Sequence, residues 1–232
     1  MKRISATLLV AALMLVCATS LAGQGTVDLR FGATDGTVSA GHLDGLDQIP
    51  RRSFSLEGSV TLPLREHFGL RLGLALTGKG TTYDGAGVLP APFGDDVQGT
   101  LTYERTYVEL RALGRATIPL RTRHVSLYAL AGPAFALSRK CEVRWRRVTG
   151  SGGWQGIEYG ECKLPLGSDS QIQLNGGGDL GAIGGLGADF AFWDMGLSAE
   201  VLYTIGLTSD GTSDAVRNRV RTVQFGLSVP FR

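Results

Sequence analysis

Apolar and polar residues alternate with a period of two along most of this chain, and helical periodicity is nearly absent. Over 67–78, Phe68, Leu70, Leu72, Leu74 and Leu76 share one face, and Gly69, Arg71, Gly73, Ala75 and Thr77 the other. Over 52–63, Phe54, Leu56, Val60 and Leu62 oppose Ser53, Ser55, Glu57, Ser59 and Thr61. Over 219–231, Val223, Phe225, Leu227, Val229 and Phe231 oppose Thr222, Gln224, Gly226 and Ser228. Successive side chains of a strand point to opposite faces, so each stretch predicts a strand with one apolar face. Eight strands are predicted, at about 25–33, 52–63, 67–78, 101–118, 124–138, 178–192, 195–207 and 219–231. Each is at least roughly the length that crosses a bilayer at a tilt, about 9–11 residues.

Alternation alone leaves the direction of the apolar face open. A soluble sandwich or lipocalin-like barrel turns it inward, whereas a membrane barrel turns it outward to lipid. Loop lengths separate the two. The connections at 64–66, 119–123 and 193–194 are short, and those at 34–51, 79–100, 139–177 and 208–218 are long. Short turns on one rim and long loops on the other are the pattern of an outer-membrane barrel. Pro63, Pro119 and Pro230 fall at strand ends, and Pro50, Pro90, Pro92 and Pro165 fall in long loops, where a missing N–H costs no ladder bond. Pro133 is the exception, late in the fifth strand, and it predicts a bulge or membrane exit just before it. The expected fold is all-β: an eight-stranded antiparallel up-and-down transmembrane β-barrel with short periplasmic turns and long extracellular loops. A soluble periplasmic β-protein is the alternative.

The polar face carries Asp28, Arg30, Glu57, Arg71, Arg105, Glu109, Arg111, Arg115, Asp189 and Glu200. An isolated charge inside a narrow barrel is expensive, whereas matched acids and arginines neutralise one another. Lysine is absent from this set, and the planar fork of arginine suits buried pairing with several partners. The set predicts a lumen plugged by Arg/acid pairs.

Composition then narrows the setting. Lys2 and Arg3, the apolar run Ile4–Val16 and the small residues at Ser20-Leu21-Ala22 form a cleavable signal peptide, 1–22. A lipoprotein signal ending at Cys17 is the rival, set aside because Val16 stands where a small residue is wanted. The domain proper is then 23–232. Of 23 basic residues two leave with the signal, and the 21 acids remain, so the mature chain is formally neutral. Neutrality argues against nucleic acid as a partner. Cys141 and Cys162 remain and, in an oxidising compartment, predict a disulfide worth about 3–4 kcal/mol through loop entropy.

The chain ends Gln224-Phe225-Gly226-Leu227-Ser228-Val229-Pro230-Phe231-Arg232. Gln224, Gly226, Val229 and Phe231 resemble the terminal strand signal that outer-membrane barrels present to their assembly machinery, with Arg232 following the usual final aromatic. Over 23–232 the chain resembles the small OmpA-like and PorT-like outer-membrane barrel domains, and Tyr103–Leu120 is similar to a strand common in the PorT-like group. The resemblance implies a monomer in the cell outer membrane, with membrane lipid and the barrel assembly machinery as partners.

Candidate chemistry is sparse. His124-Val125-Ser126 resembles the His-x-Ser of outer-membrane lipid A deacylases, but it falls at a short turn and no orienting acid is identifiable. His67 also falls at a short turn, and His42 lies in a loop beside Asp44 and Asp47. Loop aspartates Asp35, Asp44, Asp47, Asp95 and Asp96 match no calcium-loop spacing. Gly176-Gly177-Gly178 and Gly184-Gly185 precede no helix and are not phosphate loops; lumen glycines are expected to make room for arginines. No catalytic residue, cofactor or metal is expected. The distinctive segment is a hairpin with arms 141–148 and 154–162, carrying Arg144, Trp145, Arg146, Arg147 and Trp154. Arginine and tryptophan favour binding surfaces, and an anionic surface polysaccharide is the candidate ligand. The expected function is a non-enzymatic structural or surface-interaction barrel. A narrow pore is the first alternative and an outer-membrane lipid-modifying enzyme the second.

Overall fold

A computed structural model describes residues 25–39, 47–86, 98–120, 124–148, 154–159, 163–166, 170–173, 178–193, 195–207 and 217–231. The predicted signal segment 1–22, and with it Cys17, lies outside the described residues, as do His42 and the loop aspartates Asp44, Asp95 and Asp96.

The strands are β1 (Gly25–Ser39), β2 (Asp47–Arg65), β3 (Phe68–Ala86), β4 (Gln98–Pro119), β5 (Val125–Val148), β6 (Trp154–Tyr159), β7 (Lys163–Leu166), β8 (Ser170–Gln173), β9 (Gly178–Phe192), β10 (Met195–Gly206) and β11 (Arg217–Phe231). Eight of them, β1 to β5 and β9 to β11, pair antiparallel with their neighbours in sequence order, and β11 pairs with β1 from Phe231↔Gly25 to Arg217↔Ser39. That last ladder closes the ring, so the barrel proper has no edge to protect.

Exposure fixes which face is outside. Leu29, Phe31 and Leu186 are 58%, 63% and 69% exposed, whereas Arg30, Glu57 and Arg71 are 1% or less. Apolar side chains outside and charges inside are stable only if the outer surface meets lipid. Phe68, Phe190, Phe192 and Trp193 lie exposed at the short-turn end. There the Trp193 ring packs on Phe192 at 4.6 Å, and Trp193 takes φ 53° in the tight hairpin between β9 and β10.

The strands run further than the apolar pattern predicted. β1, β2, β3, β4 and β5 all continue on the long-loop side, into segments expected to be loop. Above the bilayer the outer face no longer needs apolar residues, so the ladder continues where apolar alternation has stopped. The hairpin in the third long connection is present as Val143–Val148 paired with Trp154–Tyr159. A second hairpin, β7 with β8, follows it and was not foreseen.

Pro133 produces neither a bulge nor an exit. β5 keeps one register through it against β9, Gly132↔Ile183 to Ala134↔Gly181, and Phe135 and Leu137 beyond it are still exposed. Gly132 explains the tolerance: a Cβ there would lie 2.1 Å from the Ala112 carbonyl oxygen, so β4 comes closer than any other residue allows, beside the proline that cannot donate. The register shift of β5 lies later, between Tyr107↔Ser138 and Thr106↔Lys140.

Inside, the two halves of the wall differ. Leu113, Tyr128, Leu130, Ala134, Ile183 and Leu202 form a buried apolar cluster on β4, β5, β9 and β10. Charges gather on β1 to β4 and on β10. Leu74 lies near mid-height of β3 on the outer face, opposite Gly58 and Leu110. Leu74→Arg should cost about 2–4 kcal/mol in reversible denaturant unfolding from lipid vesicles, and Leu64→Arg, beside a short turn, less than about 1. Equal costs at the two positions would show that the outer face does not meet a hydrocarbon slab.

Candidate functional site

Inward positions of β1 to β4 and β10 bring the predicted charges together. Arg71 on β3 donates from Nη1 and Nη2 to the two carboxylate oxygens of Glu200 at 2.7 and 2.8 Å, and its Nη2 also lies 2.9 Å from Glu57 Oε1. Arg111 on β4 reaches Glu57 Oε2 and Glu109 Oε2, each at 2.6 Å. Arg30 on β1 lies 3.6 Å from Glu200 Oε2 and 3.4 Å from Asp28 Oδ1, and donates to Ser59 Oγ at 2.6 Å. Lys79 Nζ meets Glu109 Oε1 at 2.6 Å. The result is one alternating chain of charge: Lys79–Glu109–Arg111–Glu57–Arg71–Glu200–Arg30–Asp28. Forked arginines serve as its links because each can span two carboxylates.

Neutral groups join the cluster. Tyr128 donates to Glu200 at 2.9 Å, Thr61 donates to Asp28 at 2.9 Å, and Thr77 accepts from Arg111 at 3.2 Å. Gln224 of the terminal strand donates to Ser55 at 2.6 Å. Gly226, two residues on, lies under Arg30: a Cβ there would be 2.6 Å from Arg30 Cγ. Room for an arginine is thus made at Gly226, whereas Gly185 packs against Leu202 and Gly184 faces open space.

Three predicted members, Arg105, Arg115 and Asp189, stand apart from the chain. Arg105 lies above it toward the long-loop end, donating to Cys141 Sγ at 3.4 Å and Tyr107 Oη at 3.3 Å, with its guanidinium over the Tyr103 ring at 5.5 Å. Arg115 pairs with Asp189 toward the short-turn mouth and lies 4.1 Å over the Tyr128 ring. Lys79 corrects the expectation that every inner base is arginine. It was missed because the predicted third strand stopped at 78, one residue short of it. The buried Asp179 and the inner tyrosines Tyr83, Tyr103, Tyr107 and Tyr128 were also missed. Inward tyrosines give no signal in an apolar-against-polar count, since tyrosine scores with either set.

At the short-turn mouth the lumen opens into a cavity of about 720 Å³, lined among others by Asp28, His67, Arg115, His124, Ser126, Asp189 and Trp193. His67 and His124 are exposed. No group of three or more His, Cys, Asp or Glu residues placed to hold a metal occurs among the described residues.

On the third-loop hairpin, Arg144 and Lys140 both pair with Glu142. The Lys140 hydrogen bond, with Arg144 beside it, holds the exposed Glu142 carboxyl below the ordinary carboxylate range. The ladder sets Arg144, Trp145, Arg146 and Arg147 opposite Glu158, Ile157, Gly156 and Gln155, and Trp154 opposite Val148. The side chains of Trp145, Arg146, Arg147 and Trp154 lie outside the described residues, as does Cys162.

Among solved structures, the outer membrane protein OprG of Pseudomonas aeruginosa is 14% identical, with 91% of this chain and 97% of that one covered at a TM-score of 0.52. The N-terminal β-barrel domain of Pseudomonas aeruginosa OprF is 14% identical over 89% of this chain and 97% of that one, with a TM-score of 0.41. Ail, the attachment invasion locus protein of Yersinia pestis, solved with the heparin analogue sucrose octasulfate, is 15% identical over 89% and 99%, with a TM-score of 0.36. No curated protein sequence matches the chain. A family model described as outer membrane protein beta-barrel domain matches residues 8–231. With the closed eight-stranded ring and its outward apolar band, that match places the chain in the cell outer membrane as a member of the outer membrane protein beta-barrel domain family.

Proposed function

We propose that this barrel is a non-enzymatic structural and surface-interaction protein whose lumen is plugged by its ion pairs. The observation that carries this reading is the continuous charge chain from Lys79 to Asp28, which crosses the interior with members 4% exposed or less. Eight strands enclose an interior just wide enough for side chains to fill. A lumen filled by mutually neutralised charges leaves contact surfaces on the outer loops. The lumen set, as proposed, is Asp28, Arg30, Glu57, Arg71, Arg105, Glu109, Arg111, Arg115, Asp189 and Glu200, with Lys79 added. A monomer inserted through the assembly machinery by its last strand fits the same picture. So does cleavage of 1–22 and a Cys141–Cys162 disulfide bracing the third loop.

For the surface role, Arg144, Trp145, Arg146, Arg147 and Trp154 supply the candidate contacts to an anionic polysaccharide. Support comes from the ladders that hold Arg144, Trp145, Arg146 and Arg147 of β5 between β4 and β6 in the outer continuation of the barrel sheet, with Trp154 opposite Val148. Arg144→Ser/Arg146→Ser/Arg147→Ser should weaken binding of folded protein to dextran sulfate by roughly tenfold at low salt. The loss should shrink as added salt screens the contact. Unchanged binding removes the hairpin as the contact.

A narrow pore is the second reading, since the interior of the ring is lined with charged groups. Single-channel recording in planar bilayers separates the two: the plugged barrel should give no steady open level, and a stable conductance favours the pore. An outer-membrane lipid-modifying enzyme has less support, because His124 and Ser126 lie at the short-turn mouth, away from the outer leaflet.

The plug makes a stability prediction of its own. Arg71→Met leaves Glu57 and Glu200 buried with one partner fewer, and should cost about 3–5 kcal/mol in denaturant unfolding. Replacing Arg71, Glu57 and Glu200 together by apolar residues of similar volume should recover much of that loss. A single variant with wild-type stability would mean that the chain is not a closed network.

A further inference from the structure

Strands β1 and β3 are separated in the ring by β2, and strands two apart in a sheet lie about 10 Å from one another. Toward the outer end of this barrel they touch. The β2–β3 ladder is broken between Pro50 and Ser55, where residues 51–54 of β2 face 78–80 of β3. β2 meanwhile stays in register with β1 as far as Gly36↔Arg51. With one residue too many, β2 cannot pair on both sides at once, and β1 closes directly onto β3. Thr34 Oγ1, fully buried, donates to the Gly78 carbonyl at 2.7 Å. A Cβ on Gly36 would lie 3.3 Å from Gly80 N and 3.6 Å from Lys79 Cα. Gly78 leaves room for Ser53, whose Oγ lies 1.8 Å from where a Cβ of residue 78 would sit. Small residues at alternate positions of both strands thus let two backbones meet where side chains would hold them apart.

We propose that this clasp seals the barrel on its outer side, so that the lumen is a blind chamber entered only from the periplasmic mouth. The inner-facing residues at and above the clasp, Lys79, Thr81, Tyr83 and Tyr103, are nearly fully buried. At the other end the lumen widens into the cavity of about 720 Å³, with Asp28, Arg115 and Asp189 lining it. The charge chain lies between. The two ends of the molecule are then separate surfaces: the outer loops meet the cell exterior, the chamber meets periplasmic solutes, and nothing passes between them. This goes beyond the plugged lumen, because the seal is backbone on backbone and does not depend on the ion pairs.

The double variant Gly36→Cys/Lys79→Cys tests the contact. A disulfide needs Cα atoms within about 7 Å, which strands two apart in an unclasped barrel do not offer. In full-length protein refolded into lipid vesicles, mild oxidation should join the peptides holding residues 36 and 79, read by mass spectrometry after digestion. Access is read separately with Ser126→Cys and Thr81→Cys and a membrane-impermeant thiol reagent, mapped by digestion. Orientation is assigned by trypsin cleavage of the outer loops. Ser126→Cys should react at least tenfold faster from the short-turn side than from the loop side, and Thr81→Cys should react from neither. Adding Gly36→Leu, which wedges β1 off β3, should open Thr81→Cys to the loop side. Absence of the cross-link in protein that still shows a heat-dependent gel shift overturns the proposal. So does equal labelling of Ser126→Cys from both sides. If the double-cysteine protein does not refold, the labelling comparison decides alone.

Discussion

The fold depends on one constraint: a charge taken into a narrow, lipid-surrounded ring must find its counter-charge there. Water is scarce inside and absent outside, so an unpaired arginine in the lumen would cost several kcal/mol. Every strand that contributes a charge therefore has its register set by a partner on another strand. Arg71 must stand level with Glu200 across the ring, and Glu57 must lie between Arg71 and Arg111. A slip of one residue in β3 would turn Arg71 to lipid and a leucine inward, reversing both penalties at once. The ion-pair chain thus pins β1, β2, β3, β4 and β10 together, independently of their ladders.

The remaining wall is held differently. β5 and β9 contribute mostly apolar residues and glycines to the interior, with Asp179 and Asp189 near the two ends of β9: Leu130, Ala134 and Ile183 pack with Leu113 and Leu202. A Cβ on Gly187 would lie 2.4 Å from the Tyr128 ring, so that glycine is a seat for the tyrosine. Tyr128 joins the halves, since its ring belongs to the apolar cluster, its hydroxyl bonds Glu200, and Arg115 lies over its face. The interior is thus a half-polar, half-apolar packing problem solved by one amphipathic residue at the seam.

Much of this was legible in the sequence where the bilayer imposes contrast. β3 and β11 alternate strictly, and Arg71, Glu57, Arg111 and Glu200 were placed inward by parity alone. Legibility failed where contrast fails. Above the bilayer the outer face meets water instead of lipid, so the outer extensions of β1 to β5 lost the apolar alternation and Lys79 fell off the end of its strand. In β5 and β9 most positions on both faces are apolar or small, so apart from Asp179 and Asp189 the inner face carried little polar signal. Gly132 beside Pro133 was readable only as a breaker, because the compensation lies on β4, in the approach of the Ala112 carbonyl. Parity gives a side chain its face but never its partner. Arg105 was read as inward, and its contacts include the Tyr103 ring, Tyr107 and Cys141.

In the terminal strand the residues that resemble an assembly signal are also packing residues. Gln224 and Gly226 match the polar and glycine positions of the signal that such barrels present at insertion, and in the finished barrel both face the lumen. Gln224 bonds Ser55, and Gly226 leaves the space that the Arg30 side chain crosses to reach Glu200. Val229 and Phe231, the apolar positions of the same motif, pair with Val27 and Gly25 where β11 closes on β1. A larger residue at 226 would push Arg30 away from Glu200 and leave the charge chain open beside the closing seam. The glycine that resembles part of the terminal signal is therefore fixed by the charge inside, and a fault there would be felt at the closing seam.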